Sequence, residues 1–286
     1  MAHIPSGATT DMEVLSFQEA LAAANTPSEE YDIEKWLYAP NFYSEYRYIL
    51  GTRGKNPLIC IGINPSTAKP DALDNTLKSV ERIALGNGFD SFIMFNVYAQ
   101  RATSPDDMEK TCNQILHQEN LKAFRYVLSI SEKPSVWAAW GAIIEKRKYL
   151  PDCVRDMLLT GEEFGAQWYC AGAITKKGHP HHPLYLRKDE KIKPFDVKAY
   201  LDKLQSLTKG QTDCLPFMII FHFFGGNCMV STVCESCWYY DYDEEFEEYY
   251  CMMDLDEDEV YRIMSSRSQH CPYYRQGDDY TLARRQ

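Results

Sequence analysis

Four apolar segments predict the strands of this chain. The first, at 58–63, is a run of Leu, Ile and Cys that is typical of a strand buried on both faces of a parallel sheet. Similar runs follow at 91–98, 135–140 and 167–171. Segments with apolar residues at helical spacing separate them, for example at 74–86. Because strands and helices alternate, the pattern predicts an α/β fold, a three-layer α/β/α domain with a short parallel sheet.

Polar residues and turns follow these strands where each one ends. Asn64 comes after the first strand, Asn96 ends the second, Gly141 closes the third, and a histidine-rich turn at 179–183 comes after the fourth. In an open α/β sheet, ligands bind at the carboxyl ends of the strands. An Asn side chain offers both a donor and an acceptor, and a His can stabilise an anion in either protonation state. We therefore expect Asn64, Asn96 and His179 to meet at this edge.

The same residues also admit structural roles. Asn64 can satisfy its own turn, which Gly62 and Pro65 enforce. His179 and the other histidines of its turn can pack at the sheet edge, or three imidazoles within four positions can bind a metal, although the two prolines stiffen the turn. Asp74 is expected to cap the following helix, and coordination of a water is the alternative. Only the joint placement of the three side chains favours a functional site.

Charge divides the chain into two parts. Residues 1–210 hold 26 acidic against 25 basic side chains, whereas residues 211–286 hold 15 against 5. A nearly neutral main part can still carry a basic groove, whereas nucleic acid repels an acidic tail. The boundaries that we expect are an N-terminal extension at 1–39, a main domain at 40–207, a linker at 208–232 and an acidic, Cys-rich module at 233–286.

Composition excludes several protein classes. A hydrophobic content of 45% excludes wholesale disorder, and no apolar run reaches the ~18 residues of a membrane span. The start of the chain has no basic region followed by an apolar one, so we expect no secretory signal and no membrane partner. Ten cysteines without such a signal are typical of a reducing compartment, and the prediction is a cytoplasmic protein.

The cysteines of the tail predict a structural metal site. Two of them are spaced as Cys-x2-Cys, and two more thiolates complete a tetrahedral set. The small module has few aliphatic residues, so a zinc ion would supply stability that its core lacks. The expected ligands are Cys234, Cys237, Cys251 and Cys271. His270 in place of Cys271, reduced thiols without metal, and an iron–sulfur cluster remain open, and the acidic surface is a candidate site for a protein partner.

Two motif sets resemble uncharacterised families. Gly-Ile-Asn-Pro-Ser-Thr-Ala at 62–68 and Gly-His-Pro-x-His-Pro-Leu-Tyr-Leu at 178–186, with Arg101-Ala102-Thr103 between them, resemble a bacterial and phage family that is thought to share the uracil-DNA glycosylase fold. The tail, with its Cys-x2-Cys spacing and the segments 255–259 and 271–274, is similar to a small Cys-rich bacterial family.

The strand-end motifs also resemble the uracil-DNA glycosylase superfamily. Gly62-Ile63-Asn64-Pro65 looks like its first motif in the mismatch-specific branch, and Phe95-Asn96-Val97 looks like the strand that reads the flipped base. The resemblance implies that Asn64 positions the attacking water, that Asn96 reads the base beside Gly62, Ile63, Pro65 and Ser66, and that His179 stabilises the departing anion. Basic side chains that flank the His motif are expected to contact phosphate, namely Lys176, Lys177, His181, His182 and Arg187.

Two departures from the glycosylase pattern bear on the chemistry. Asn64 stands where many glycosylases have an Asp, so activation of the water would be weak. His181 stands where the second motif has a Ser. The leading hypothesis is an N-glycosylase-type hydrolase that removes a base from DNA or a nucleotide and needs no cofactor for catalysis. The alternative is a catalytically silent nucleic-acid or nucleotide-binding protein whose zinc-stabilised tail recruits a partner.

Overall fold

The computed structural model describes residues 13–102, 107–184, 186–209, 237, 239–243, 248–251 and 273–276. It divides the chain into two compact units, Met1–Thr208 and Lys209–Gln286. Within the first unit, side chains of the segment before residue 40 pack in the same hydrophobic core as the sheet, for example Phe17 and Leu37. The described part of the predicted N-terminal extension is therefore an integral part of the main domain.

The first unit is an α/β domain. Its strands are β1 (Trp36–Ala39), β2 (Ile49–Thr52), β3 (Pro57–Gly62), β4 (Ser91–Asn96), β5 (Ser135–Ala138), β6 (Gln167–Cys170) and β7 (Lys193–Pro194). Its helices are α1 (Phe17–Ala24), α2 (Asn75–Gly86), α3 (Gln114–Leu128), α4 (Leu150–Glu163) and α5 (Val197–Lys209), with a 3-10 helix at Ala142–Lys146. The predicted fold class, α/β, is confirmed.

The seven strands form one mixed sheet in the order β1-β2-β4-β3-β5-β6-β7. The four middle strands are parallel, as the alternating pattern predicts. The strands at both sides are antiparallel, because β1 and β2 form an antiparallel pair beside β4, and β7 runs against β6. The expected short parallel sheet is therefore only the centre of a larger mixed sheet. Antiparallel neighbours need only short connections, so they extend the sheet without further crossover helices.

Helices pack on both faces of this sheet. On one face, Ile59 and Ile61 lie in a core with side chains of α1, α3, α4 and α5. On the other face, Leu58 and Cys60 lie in a core with α2. Every residue of β3 is buried, which explains why its sequence is continuously apolar rather than alternating. We call the second face the α2 face.

The order of the parallel strands creates a switch point at the carboxyl edge. From β3 the chain passes through α2 to β4 on one side, and then through α3 to β5 on the other side of β3. Because α2, which follows β3, and α4, which follows β5, pack on opposite faces, the loops after β3 and β5 diverge. Such a point in an open α/β sheet opens a crevice beyond the strand ends.

Gly51 gives a stability test of the sheet. A Cβ at this position of β2 would collide with the backbone oxygen of Phe92 and lie 2.7 Å from the Cα of Ile93. Backbone cannot move aside as a flexible side chain can, so we expect Gly51→Ala to lower the free energy of unfolding by about 3 kcal/mol. Gly86→Ala is the control, because a Cβ there meets nothing within 4 Å. Urea unfolding of both variants measures the difference, and equal stability would contradict the strand pairing.

The second unit contains a small hairpin. β8 (Tyr240–Asp243) pairs antiparallel with β9 (Glu248–Cys251), and Cys237 forms an isolated bridge with Gln276. Cys234 and Cys271 lie outside the described residues. Among the residues that are described, no three metal-binding side chains come together. The zinc set Cys234, Cys237, Cys251 and Cys271 therefore stays a prediction, as does a partner for the acidic tail.

None of the described helices is both long and apolar enough to cross a bilayer.

Candidate ligand site at the carboxyl edge of the sheet

Asn96, the last residue of β4, has a side-chain amide that is buried. The side chain is 1% exposed, and neither its Oδ1 nor its Nδ2 has a hydrogen-bond partner among the described residues. Its backbone oxygen, by contrast, accepts a bond from Asn120 Nδ2 at 3.0 Å. Buried polar groups are almost always satisfied, so a side chain with both atoms unpaired calls for a ligand or a bound water. Asn96 is the strongest candidate for a ligand-reading residue.

Gly62 leaves space beside this amide. It is paired in register with Asn96, and a Cβ at Gly62 would lie 3.3 Å from Asn96 Oδ1 and 2.5 Å from Met94 Cε. Because side chains alternate along a strand, Asn96 points to the same face as Met94, which packs on the α2 face. The Asn96 amide and the space beside Gly62 therefore lie on the α2 face, at the carboxyl edge of the sheet.

The side-chain amide of Asn64 is hydrogen-bonded through its nitrogen. Its Nδ2 donates to the carbonyl oxygens of Ala102, at 2.8 Å, and Pro65, at 3.1 Å. In the part of the chain that the structure describes, its Oδ1 accepts no hydrogen bond. The amide nitrogen therefore fixes the loop after β3, while the carbonyl oxygen remains able to accept a bond from water.

The other residues predicted to line the base have structural partners. Ser66 Oγ donates to Asp74, and Asp74 accepts a bond from Leu77 N at 2.9 Å as the N-cap of α2. The N-cap role predicted for Asp74 is confirmed. Ile63 is buried in the core of the face opposite α2. Pro65 contributes its carbonyl oxygen, which also accepts from Ala102 N at 3.0 Å.

Two buried arginines lie on the α2 side of the same edge. Arg47 N donates to Ala99 O and Arg101 N to Glu45 O, so both residues flank one antiparallel bridge and face the same side. Arg47 Nη1 donates to Ala68 O at 2.9 Å, and Ala68 packs in the core of the α2 face. Each arginine is 1% exposed. Burial, and the neighbouring charge of Arg101, lower the pKa of Arg47 to about 9.

His179 lies in a separate hydrogen-bonded cluster. Its ring is fully buried, with Nε2 2.9 Å from Glu145 Oε1 and Nδ1 2.7 Å from the Tyr200 hydroxyl. Trp140 Nε1 donates to the same hydroxyl at 2.8 Å. Burial lowers the pKa of His179, and a neutral ring protonated at Nε2 completes this chain of bonds. Trp140 and Tyr200 pack in the core of the face opposite α2, so the structure does not bring the His179 ring to Asn96.

The turn after His179 crosses the sheet edge. Pro180 O accepts from Gly141 N at 3.0 Å, whereas Pro183 O accepts from Ser79 Oγ of α2 at 2.8 Å. Burial lowers the pKa of His182 to about 4, and the Asp74 carboxylate partly offsets this shift. The imidazole near the N-terminus of α2 is therefore that of His182. The glycosylase resemblance implied that His179 stabilises the departing anion, but the His179 ring lies in the other cluster.

The predicted phosphate contacts mostly have partners within the protein. Lys177 Nζ lies 3.2 Å from Glu145 Oε2, and His181 Nδ1 lies 2.7 Å from His182 O. Arg187, which is 80% exposed, has its Nε 3.5 Å from Asp189 Oδ1, and Lys176 also has an interaction. Hydrogen bonds from His179 and Lys177 outweigh burial and lower the pKa of Glu145. Contact of these basic residues with DNA stays a prediction.

Sequence reasoning missed four residues of these two clusters. Glu145 and Tyr200 are hydrogen-bonded to the two nitrogens of the His179 ring. The Tyr38 hydroxyl accepts a hydrogen bond from Arg101 Nη2 at 3.1 Å. Arg47 stands between Tyr46 and Tyr48 in the sequence and was not among the predicted site residues. A signal was present, because a lone Arg between apolar residues predicts a buried charge, and buried charges are costly.

Two regions of the chain are similar to families of uncharacterised proteins. Residues 47–184 match the family described as protein of unknown function DUF1643, and residues 231–286 match domain of unknown function DUF6472. Both family descriptions leave the function open. Neither match links it to the uracil-DNA glycosylases. A search of curated proteins and a search of solved structures gave no match. The DUF1643 range includes Arg47, Asn64, Asn96, Arg101 and His182.

Proposed function

We propose that the protein binds a nucleobase of DNA or of a nucleotide at the carboxyl edge of its sheet and hydrolyses the N-glycosidic bond. The observation that carries this proposal is the buried amide of Asn96, whose donor and acceptor both lack a partner among the described residues. The uracil-DNA glycosylase-like, three-layer arrangement is part of the proposal. It is supported by helices on both faces of the central parallel strands.

The Asn96 amide suits the recognition of a base edge. A planar amide can donate from Nδ2 and accept at Oδ1 at the same time, and base edges present matching acceptor and donor pairs. Enzymes that act on a base take it out of the stack and read its Watson–Crick edge inside a pocket. Because Asn96 is held at the end of a buried strand, little entropy would be lost when it forms these bonds.

In this proposal, Asn64 positions the attacking water. Its Oδ1 can accept a hydrogen bond from water, but an amide cannot take up the proton. Cleavage of an N-glycosidic bond through an oxocarbenium-like state leaves an anionic base, so donors near that base matter more than a strong nucleophile. His179 is occupied by Glu145 and Tyr200, so His182, beside Asp74, is the imidazole that we assign to the departing base.

Release of free base tests the proposal. The full chain is incubated with uracil-containing, mismatched and phage-modified DNA, and separately with nucleotides, and free base is measured by mass spectrometry. We expect base release by the native chain and a loss of about 10²-fold in Asn64→Ala. Asn56→Ala is the matched control. Asn56 is exposed and directly precedes β3, so it lies at the amino end of this strand, away from the candidate site. No free base from any substrate would contradict the hydrolase.

A second function is favoured by one observation. Asn64 commits its amide nitrogen to two backbone carbonyl oxygens, so its orientation is explained by the loop alone. In that case the protein is a binding module for nucleotides or nucleic acid without hydrolysis. Retention of ligand by the native chain, with no free base and with unchanged retention by Asn64→Ala, is the result that this alternative predicts.

A further inference from the structure

Arg47 and Arg101 are buried cations, and none of their partners among the described residues is a carboxylate. Their described hydrogen bonds go to the carbonyl oxygens of Ala68 and Ser66 and to the hydroxyl of Tyr38. Both Nε atoms are buried and have no partner in the described part of the chain. Within that part, no carboxylate forms an ion pair with either guanidinium.

Such an arrangement is unfavourable in the free protein. Moving a cation out of water is costly, and buried guanidinium groups are normally paired with carboxylates. Here two of them lie on the same face, and the repulsion contributes to the lowered pKa of Arg47. The Asp74 carboxylate acts on Arg47 and partly offsets the lowering of its pKa, but its oxygens already accept from Ser66 and from the backbone of α2. The cluster therefore has more positive than negative charge.

We propose that Arg47 and Arg101 form a subsite for one phosphate group of the ligand. The planar guanidinium group with its fixed N–H donors matches the oxygen geometry of phosphate, and each of the two unpaired Nε atoms has a donor to give. The Tyr43 ring lies 4.5 Å from the Arg101 guanidinium carbon and covers that side of the group. An anion would thus be bound between groups that are already oriented, which lowers the cost of binding.

The subsite deepens the proposed function and rests on it for the identity of the ligand. Asn96 and the two arginines lie on the same face at the same edge, so base and phosphate of one nucleotide are the matching chemistry. The phosphate can be the monoester of a free nucleotide or the diester of a DNA strand. Both sources present the same anionic oxygens to the arginines.

Paired ligands test the subsite. Binding of deoxynucleoside 5′-monophosphates, of the corresponding deoxynucleosides and of a short single-stranded oligonucleotide is measured by calorimetry, and inorganic phosphate is tested by its shift of the unfolding temperature. For the native chain we expect the monophosphate or the oligonucleotide to bind at least about tenfold more tightly than the nucleoside. Preference for one of these two probes identifies the source of the phosphate.

The variants are Arg47→Gln, Arg101→Gln and the charge-conserving Arg101→Lys. In the Gln variants we expect the phosphate advantage to fall to about one, because the donors are gone, and in Arg101→Lys to fall in part. The advantage is a ratio measured within one protein, so a change in stability does not mimic the result. Arg53→Gln is the control, because Arg53 binds Ile33 O and Trp36 O at the opposite edge of the sheet.

The outcomes separate the subsite from the hydrolase. Arg-dependent phosphate binding without base release would support the subsite and contradict hydrolysis. Base release that does not depend on a phosphate group of the substrate would support hydrolysis and overturn the subsite. The subsite is also overturned if no phosphate-bearing probe, including inorganic phosphate, binds or stabilises the native chain, or if the Arg53 variant loses the advantage as the others do.

Discussion

Asn96→Leu is expected to abolish base release while the protein becomes more stable. Leucine has a similar size but no polar atoms, so it removes two buried groups that lack partners among the described residues. We expect the free energy of unfolding to rise by about 1 kcal/mol, since replacing an unsatisfied buried polar group removes its desolvation cost. Base release should fall by about 10³-fold, because the donor and acceptor that orient the base are lost.

Asn120→Leu is the matched control for this prediction. Asn120 is also fully buried, and its Oδ1 likewise has no partner among the described residues, but its Nδ2 donates to Asn96 O at 3.0 Å, so this substitution leaves a buried carbonyl with one partner fewer. We expect Asn120→Leu to destabilise the domain in urea unfolding. If Asn96→Leu destabilised it equally, or released base at the native rate, Asn96 would be a structural residue.

Acidification is expected to lower the stability of the domain between about pH 6.5 and pH 4. His182 has its pKa lowered from 6.5 to about 4, mainly by burial. Above pH 6.5 neither the folded nor the unfolded chain binds the proton, so the full stability is present. Between these values the unfolded chain binds it and the folded chain does not, so stability falls as the pH falls and levels off below about 4.

The expected loss is on the order of 2 kcal/mol. One pKa unit corresponds to about 1.4 kcal/mol, and partial solvent exposure of His182 reduces the full effect. His179 adds a loss of the same sign, since burial lowers its pKa as well. Urea unfolding at pH 7 and at pH 5 measures the slope, and His182→Gln should flatten it. A slope that is identical in this variant would show that His182 is not buried in its neutral form.

The sequence predicted the elements of the domain whose cause is local. Continuous apolar runs identified β3 to β6, because strands buried on both faces need no polar residues. Ser16 and Glu19 form a capping box, which explains why α1 begins at Phe17. Asp74 fulfils the predicted N-cap. These signals depend only on neighbouring residues.

The sequence did not predict which face each edge residue occupies. His179 and His182 are three positions apart in one turn, yet one packs with Tyr200 and the other lies near Asp74. The prolines of the turn fix its path, but the direction of each ring depends on α2 and α5, which contact it from different sides. The sequence signals the burial of Arg47 but not its position beside Arg101, because that position depends on pairing with a segment fifty residues later.

The side-chain amide signals of Asn96 provide the most direct test of the central claim. In a ¹⁵N–¹H spectrum of the full chain, the Nδ2 signals are assigned by their absence in Asn96→Leu, and a deoxynucleoside monophosphate is added. We predict that these signals shift with the ligand concentration, because the amide gains its missing partners. Signals of Asn96 that stay unchanged while the ligand binds elsewhere would contradict the account.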